Sequence, residues 1–534
     1  MNNIKSNLND STVEQDDITN IAEAESVLPH AELIEECPPP NNTLPKLGLL
    51  VAATSIGMFM GALDESIINV SLPTISSYFG VNQLGVQWIV LVYLLVIVGL
   101  TAIAGYLGDR YSTKIIFQIG MIIFGIGSLM CALSESLIFL GASRFIQGIG
   151  ATGLLANGNA IITRFTDEER RGVAIGFTSL IAALGVVVGP VVGGLMTQYW
   201  GWKSVFWLNV PVGVIGLLAV QFVVPATPPV NSYQKKPDIV GSLLFAAIMT
   251  SLILGITLFV DPVLPYPAIW GTGFILASIG FAVGFAFWEK KAENPFIEIS
   301  LFKNRKIVIG FTCAMATFVA LNSVAFQLPF FLQDMLGFTQ VKIGAIIIGV
   351  PIGLAIAAPI SGKLSSKIDA RILSSIGLGT IAIELTCLAI FLSLTIPLWI
   401  FIMVATFIGL SIGCFSAPNS NSILSSAPEE KIGVVSGLLS LARNIGYSIG
   451  TALSTTIFLF ILGLFQEKNG GELKSPENYL PSIRILFGIL VIFMVIAITL
   501  SILRGPEIRN NNKNNCEIES ELDASAKDVH SLDE

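Results

Sequence analysis

The chain of 534 residues is 53% hydrophobic and only 12% charged, against about 25% charged residues in an ordinary soluble domain. Its net charge of -8 belongs to the ends: nine acids lie in residues 1–46 and eight in 505–534, with five basic residues in both tails, so residues 47–504 keep 24 basic against 20 acidic side chains. This excludes a soluble enzyme and leaves a polytopic all-α membrane domain between two acidic tails, whose low hydrophobicity is that of disordered segments.

The N-terminal stretch lacks a basic segment followed by a short apolar run, so no cleavable signal is expected and the first span is itself the insertion signal. Fourteen apolar stretches follow, roughly 48–70, 84–107, 115–133, 137–162, 171–198, 204–224, 239–259, 268–288, 307–333, 342–362, 372–394, 397–420, 433–462 and 482–503; each is long enough to cross a bilayer as a helix. An even count puts both tails on one side. The loops on that side hold most of the Lys and Arg, including Arg110, Lys114, Arg164, Lys303 and Arg371, which places both termini in the cytoplasm.

Gly105, Arg110 and Lys114 after the second span recur at an offset of 257 as Gly362, Lys367 and Arg371 after the tenth. Such repetition matches two six-helix halves with the seventh and eighth spans inserted between them, and substrate handled where the halves meet. The expected organisation is a disordered cytoplasmic tail (1–46), a six-helix half (47–224), two inserted spans with flanking loops (225–306), a second six-helix half (307–504) and a second disordered tail (505–534).

Ionisable groups inside apolar spans are costly and usually functional. They are Asp64, Glu65, Arg144, Glu384 and Arg443. In a span ending near residue 70, Asp64 lies about 9 Å from the outer end by helical rise, and Arg144 enters the fourth span at a similar depth. The two could neutralise each other, so that protonation of the acid is coupled to the state of the pair. Glu65, rotated by about 100°, is a second candidate. Glu384 and Arg443 have similar depths in the eleventh and thirteenth spans; they could pair, or Glu384 could take a proton or a cationic substrate.

Gly185, Gly189 and Gly193 form one row of the fifth span, with Pro190 and Gly194 beside it. Small residues at this spacing admit a close neighbour, and the expectation is a hinge or seal between the halves. In the loop after the second span, Asp109 is placed to cap the third helix, and Arg110 and Lys114 to meet helix C-terminal carbonyls or anionic headgroups. Phe59, Trp88, Tyr93, Phe326, Phe330, Phe331 and Phe415 are candidate cavity aromatics.

Six unpaired cysteines and two histidines confined to the tails offer no disulfide framework, metal site or proton relay, and no phosphate-binding Gly-rich loop is present. No cofactor and no nucleic-acid partner are expected.

Four segments, LDESIINVSLP (63–73), GYLGDR through Lys114 (105–114), RFIQG (144–148) and GVVVGPVVGG (185–194), with an echo from Trp202 to Pro211, make the chain resemble the major facilitator superfamily, in its fourteen-helix drug:proton antiporter branch. Ser112 and Thr113 depart from the family's loop pattern. The resemblance implies the major facilitator fold, Asp64 as the coupling acid, a gating latch at Gly105, Asp109, Arg110 and Lys114, export through the Gly185–Gly194 antiporter motif, and a bacterial inner membrane. The leading expectation is proton-driven export of amphiphilic or cationic drugs, with protons, a small molecule and the lipid bilayer as partners and a periplasmic adaptor left open. The alternatives are export of one metabolite, such as a siderophore, amino acid or lipid precursor, and a membrane sensor acting through its tails.

Overall fold

Twenty or more apolar residues in a row leave the backbone no hydrogen-bond partner but itself once water is excluded, and helices are the solution this chain takes. The computed structural model describes residues 47–166, 168–226, 238–261, 264–292, 299–365, 367–428, 432–470 and 472–505. The expectations for both acidic tails, for Cys37 and for Cys516 lie outside them. Fourteen helices are long and apolar enough to span a membrane: α1 Leu47–Phe79, α2 Gln83–Arg110, α3 Thr113–Ala132, α4 Leu137–Arg164, α5 Glu168–Trp200, α6 Lys203–Val223, α7 Ile239–Leu258, α8 Pro267–Glu289, α9 Arg305–Asp334, α10 Gln340–Leu364, α11 Ala370–Phe391, α12 Leu398–Ser425, α13 Ile432–Asn469 and α14 Pro476–Ile502. Fourteen spans, an even number, put residues 47 and 505 on one face.

Helix starts are chemically marked. Ser112, Ser136, Asn304 and Asp369 each accept a backbone N–H of the first turn through the side-chain oxygen, filling one of the donors a helix end leaves open. Two boundaries differ from the hydropathy pattern. α1 continues nine residues beyond 70, through Pro73 to Phe79, because the polar residues after Pro73 stay in the helical ladder and the helix end packs on Trp202, 5.6 Å from the Phe79 ring. α10 is interrupted at Ile348, three residues before Pro351, whose ring displaces the carbonyl of residue 347.

Two large apolar cores follow. One is drawn mainly from α1–α6, around residues such as Met60, Phe117, Phe124 and Phe206; the other is drawn mainly from α9–α14, around Phe331, Phe415, Phe458 and Phe487. The repeat holds in three dimensions. Ser66 Oγ on α1 donates to Gly185 O on α5 at 3.3 Å, and Ser323 Oγ on α9, 257 residues later, donates to Gly450 O on α13 at 3.1 Å. A Cβ at Gly105 would lie 3.8 Å from Ala156 Cβ, and one at Gly362 would lie 3.8 Å from Ala417 Cβ.

The hydrogen bonds joining the two bundles cluster at the face opposite the termini. Gln340 Nε2 donates to Thr74 Oγ1 at 2.8 Å, Val341 N to Gln198 Oε1 at 3.2 Å, and Gln83 Nε2 to Tyr479 Oη at 3.4 Å. The protein is therefore closed on that face. α7 straddles the seam between bundles: Ala246 Cβ lies 2.8 Å from where Gly99 of α2 would place a Cβ, and Thr456 of α13 donates to Ile256 O at 3.2 Å. α8 packs on α7 and leaves most of its surface exposed. Asp238 ties the pair, accepting from Gly241 N and from Trp288 Nε1, both at 2.7 Å.

Candidate functional site

Asp64 sits 15 residues before the end of α1, about 22 Å by helical rise, not 9 Å; the continuation through Pro73 puts it near the helix middle. It is 1% exposed, as is Arg144. Arg144 Nη1 donates to Asp64 Oδ2 at 2.6 Å and to Gln147 Oε1 at 2.5 Å, and Nε donates to Ile89 O at 3.0 Å. Asp64 Oδ1 accepts from Gln147 Nε2 at 2.9 Å and from Asn209 Nδ2 at 2.7 Å. Gln147 also donates to Ser128 Oγ at 2.8 Å. The guanidinium lies 4.2 Å from the Tyr93 ring centroid, a contact that gains strength away from water.

Four helices thus converge on the Asp64–Arg144 pair: α1 carries the carboxylate, α4 brings the guanidinium and an amide, α6 brings Asn209, and α2 supplies Tyr93 and the Ile89 carbonyl to the guanidinium. Glycines make the convergence geometrically feasible. A Cβ at Gly127 would lie 2.6 Å from the Gln147 backbone, and one at Gly148 would lie 3.2 Å from Tyr93 O. Removing one member of a buried pair leaves the other charge uncompensated, at a cost of about 3–5 kcal/mol. A proton on Asp64 would abolish the attraction and leave Arg144 exposed to that cost, so proton occupancy and the packing of these four helices are tied together.

Glu65 does not join this cluster. It makes no hydrogen bond or ion pair within the cluster among the described residues, although the charges of Arg443 on α13 and of Arg144 both act on it. Glu384 does not pair with Arg443: its Oε1 accepts from Ser411 Oγ at 2.6 Å within the second bundle. The two residues have comparable depth but point to different neighbours.

The loop after α2 departs from expectation in one respect. Ser112, not Asp109, caps α3, its Oγ accepting from Ile115 N at 3.3 Å. Asp109 instead pairs with Arg164 at the end of α4, 3.0 Å away, because its helical position faces that neighbour. Lys114 does meet helix C-terminal carbonyls, donating to Gln221 O at 3.0 Å and Val224 O at 2.6 Å beyond α6. Arg110 is bonded to Tyr106 Oη at 2.8 Å. Gly105 meets only an ordinary contact, whereas Gly108 is pressed against Asn157 Oδ1.

The glycine row also divides its roles. Cβ atoms at Gly185 and Gly193 would lie 2.7 Å from Phe59 O and from Ile67 Cγ1, and Gly189 abuts Ser66. The row packs on α1 of its own bundle, so it does not itself seal the halves. The seal is made by the adjacent face of α5: a Cβ at Gly194 would lie 2.5 Å from Gln340 O, and Gly344 of α10 abuts Pro190 O. Tyr93, Phe326, Phe330, Phe331 and Phe415 are at most 2% exposed and belong to packed interiors. Of the candidate aromatics, Phe59 lines an open space, an apolar crevice of about 330 Å³ between α1, α5 and α6, with Ala52, Ile56, Ile181, Val212 and Ile215. Its volume lies at the low end of small-molecule sites.

The sequence profile of the Major Facilitator Superfamily matches residues 54–451. The chain belongs to the major facilitator superfamily. Superfamily relatives include the riboflavin transporter RibZ of Clostridioides difficile (strain 630), 34% identical over 404 residues, 76% of this chain and 86% of that protein. Another is the multidrug resistance protein Stp of Mycobacterium tuberculosis (strain CDC 1551 / Oshkosh), 29% identical over 410 residues, 76% of this chain and 74% of that one. Among solved superfamily folds, a peptide transporter POT aligns at TM-score 0.62 and 16% identity, covering 86% of this chain and 95% of its own. A bacterial homologue of the human lysosomal transporter Spinster aligns at TM-score 0.59 and 18% identity, covering 86% and 97%.

Membership makes the protein a multi-pass membrane transporter and not an enzyme. Within this superfamily fold, the polar members of the cluster that charge-based reading passed over are Gln147, Asn209 and Ser128. Gln147 and Asn209 stood in the recognised motifs, but neutral amides give no warning of burial. Ser128 had no signal at all. Among the described residues no group of His, Cys, Asp and Glu could hold a metal ion.

Proposed function

We propose that the protein is a proton-coupled antiporter that exports amphiphilic or cationic compounds from the cytoplasm across the bacterial inner membrane, with both termini cytoplasmic. The reading rests chiefly on the buried cluster at Asp64, a carboxylate held by one guanidinium and two amides from two neighbouring helices. In the closed arrangement Arg144 is paired with Asp64. A proton arriving from the outer side would release Arg144 at a cost of about 3–5 kcal/mol, close to the roughly 5.5 kcal/mol that moves a two-state equilibrium from 1:99 to 99:1. That sets the proton against the closed packing and drives alternation. Gly344 and Gly194 let α5 and α10 slide and separate at the outer seal, Lys114 and Asp109 hold the cytoplasmic ends of α3 and α4 during the change, and Glu65 and Arg443 form an attraction across the halves. The apolar crevice at Phe59 suits the apolar body of an amphiphile.

A second reading is transport of one planar metabolite, favoured by the 34% identity to a riboflavin transporter. Energised inverted membrane vesicles containing an acridine dye distinguish the two. Lipophilic cations that release lumenal protons with the wild type, and not with Asp64→Asn, are the expected result. Proton release by riboflavin alone selects the second reading, and release by neither overturns both.

A further inference from the structure

The repeat permits the Asp64 cluster to be followed into the second bundle. An offset of 257 carries Ser66 to Ser323 and Gly105 to Gly362, and an offset of 261 carries Ala156 to Ala417 and Gly148 to Gly409, with matching contacts on both sides. Those offsets carry Asp64 to Leu321, Arg144 to Ala405 and Gln147 to Ile408. Carboxylate, guanidinium and amide are all replaced by apolar side chains. On α11 the offset of 257 carries Gly120 to Gly377, each pressed against the backbone of the neighbouring helix α4 or α12, and Gly127 to Glu384. The second bundle therefore has a half-buried acid of its own, moved to another helix, and no basic residue at the position that neutralises the first.

Glu384 faces a pocket walled by Ala320, Leu321, Val324, Ile381, Ile408 and Ile412. Its Oε1 takes the Ser411 hydroxyl at 2.6 Å, and its Oε2 has no hydrogen-bond partner among the described residues. Thr317, also in the wall, spends its hydroxyl on Cys313 O at 2.8 Å. The charged side chains of the surrounding helices lie elsewhere: Arg305, Lys306 and Asp334 at the ends of α9, Arg371 in the first turn of α11, and Glu477 near the start of α14. Arg484 binds Leu392 O beyond α11, and Arg504 binds Asn419. α12 carries no charge. Cys313, Cys387, Cys414 and Tyr479 form no part of the pocket wall.

An isolated ionised carboxylate in such surroundings costs several kcal/mol, and it becomes neutral by taking a proton or acquires a cation. Free space beside Glu384 is about 10 Å³, room for no more than one water molecule, which excludes an organic cation. We propose that Glu384 is a second proton-binding site, separate from the Asp64 cluster, and that it carries its proton as a neutral carboxylic acid in this closed arrangement. The use of that proton in transport rests on the antiport reading; its presence does not. Separation of α9 from α12 would wet the pocket and release it, giving the cycle a second coupling proton.

Infrared difference spectroscopy of the full chain in lipid vesicles, titrated from neutral to alkaline pH without any drug, tests the site directly. The wild type should show the carbonyl stretch of a protonated carboxylic acid at neutral pH. Glu384→Gln should lose that band, Glu384→Asp should shift it, and the double variant Asp64→Asn/Glu65→Gln should keep it. Should Glu384→Gln fail to fold, the shift in Glu384→Asp decides. A band unchanged in the Glu384 variants, or no such band in the wild type, overturns the proposal. A band that follows Glu384 in a protein that moves no protons against any drug leaves the site standing and refutes the antiport reading instead.

Discussion

Asp64 in the first bundle is held by a guanidinium and two amides, whereas Glu384 in the second is held by one hydroxyl with its other oxygen unmatched. Both acids lie in pseudo-equivalent six-helix scaffolds that share offsets, close glycines and interhelical bonds. A duplicated fold therefore does not impose duplicated chemistry. What differs is that the acid sits on another helix and that Arg144 and Gln147 are matched by Ala405 and Ile408, which leaves the second acid without the counter-charge and amide that hold the first.

The contrast can be broken most forcefully at Arg144. Arg144→Leu is predicted to destabilise the folded protein by about 3–5 kcal/mol, because Asp64 stays buried without its counter-charge. Thermal unfolding in detergent would show this, and Asp64→Asn in the same chain should recover most of the loss. Additive losses in the double variant would mean that the two residues are not a coupled pair.

Next in size is the seal at the opposite face. Gly344→Leu forces a side chain onto Pro190 O, an overpacking worth about 1–3 kcal/mol. The closed population should fall about 5- to 140-fold relative to the open one, since 1.4 kcal/mol is a factor of ten. Cross-linking between cysteines introduced at Thr74 and Gln340, whose side chains are 2.8 Å apart, reports that population. Cross-linking that is as fast with Gly344→Leu as without it would remove α5 and α10 from the account.

Glu384→Gln sharpens the comparison by its smallness. An amide replacing an already neutral acid should cost less than about 1 kcal/mol, where Arg144→Leu costs several. Lys114→Ala should be of similar size, below about 1 kcal/mol, since its bonds to the end of α6 are partly exposed and resemble other helix C-terminal contacts. Denaturation of either variant more than about 2 kcal/mol below the wild type would contradict the assignment of these residues.

Charge was the legible part of the site. Asp64 and Arg144 stand out because ionised groups are rare in apolar runs, and the family motifs place them in order. Span number and the repeat were legible for the same reason, since twenty-residue apolar runs and basic loops are long-range signals. The rest depended on neighbours that a single chain does not display. The depth of Asp64 is not legible because the apolar run ends near residue 70 while the helix continues through Pro73 to Phe79. Ser112 looked like a departure from a motif and is a helix cap. Gly185, Gly189 and Gly193 looked like a seal and pack on α1, since a row of glycines reveals a close approach but not the helix that makes it. Glu384 and Arg443 share a depth, yet Glu384 takes the Ser411 hydroxyl instead.

The claim that matters most is that Asp64 couples substrate movement to the proton. Purified protein reconstituted in proteoliposomes allows substrate exchange at equal pH to be compared with transport driven by a pH gradient, using whichever compound the vesicle assay identifies. Asp64→Asn is predicted to retain exchange and to lose gradient-driven accumulation. Accumulation by Asp64→Asn at the wild-type level would contradict the account.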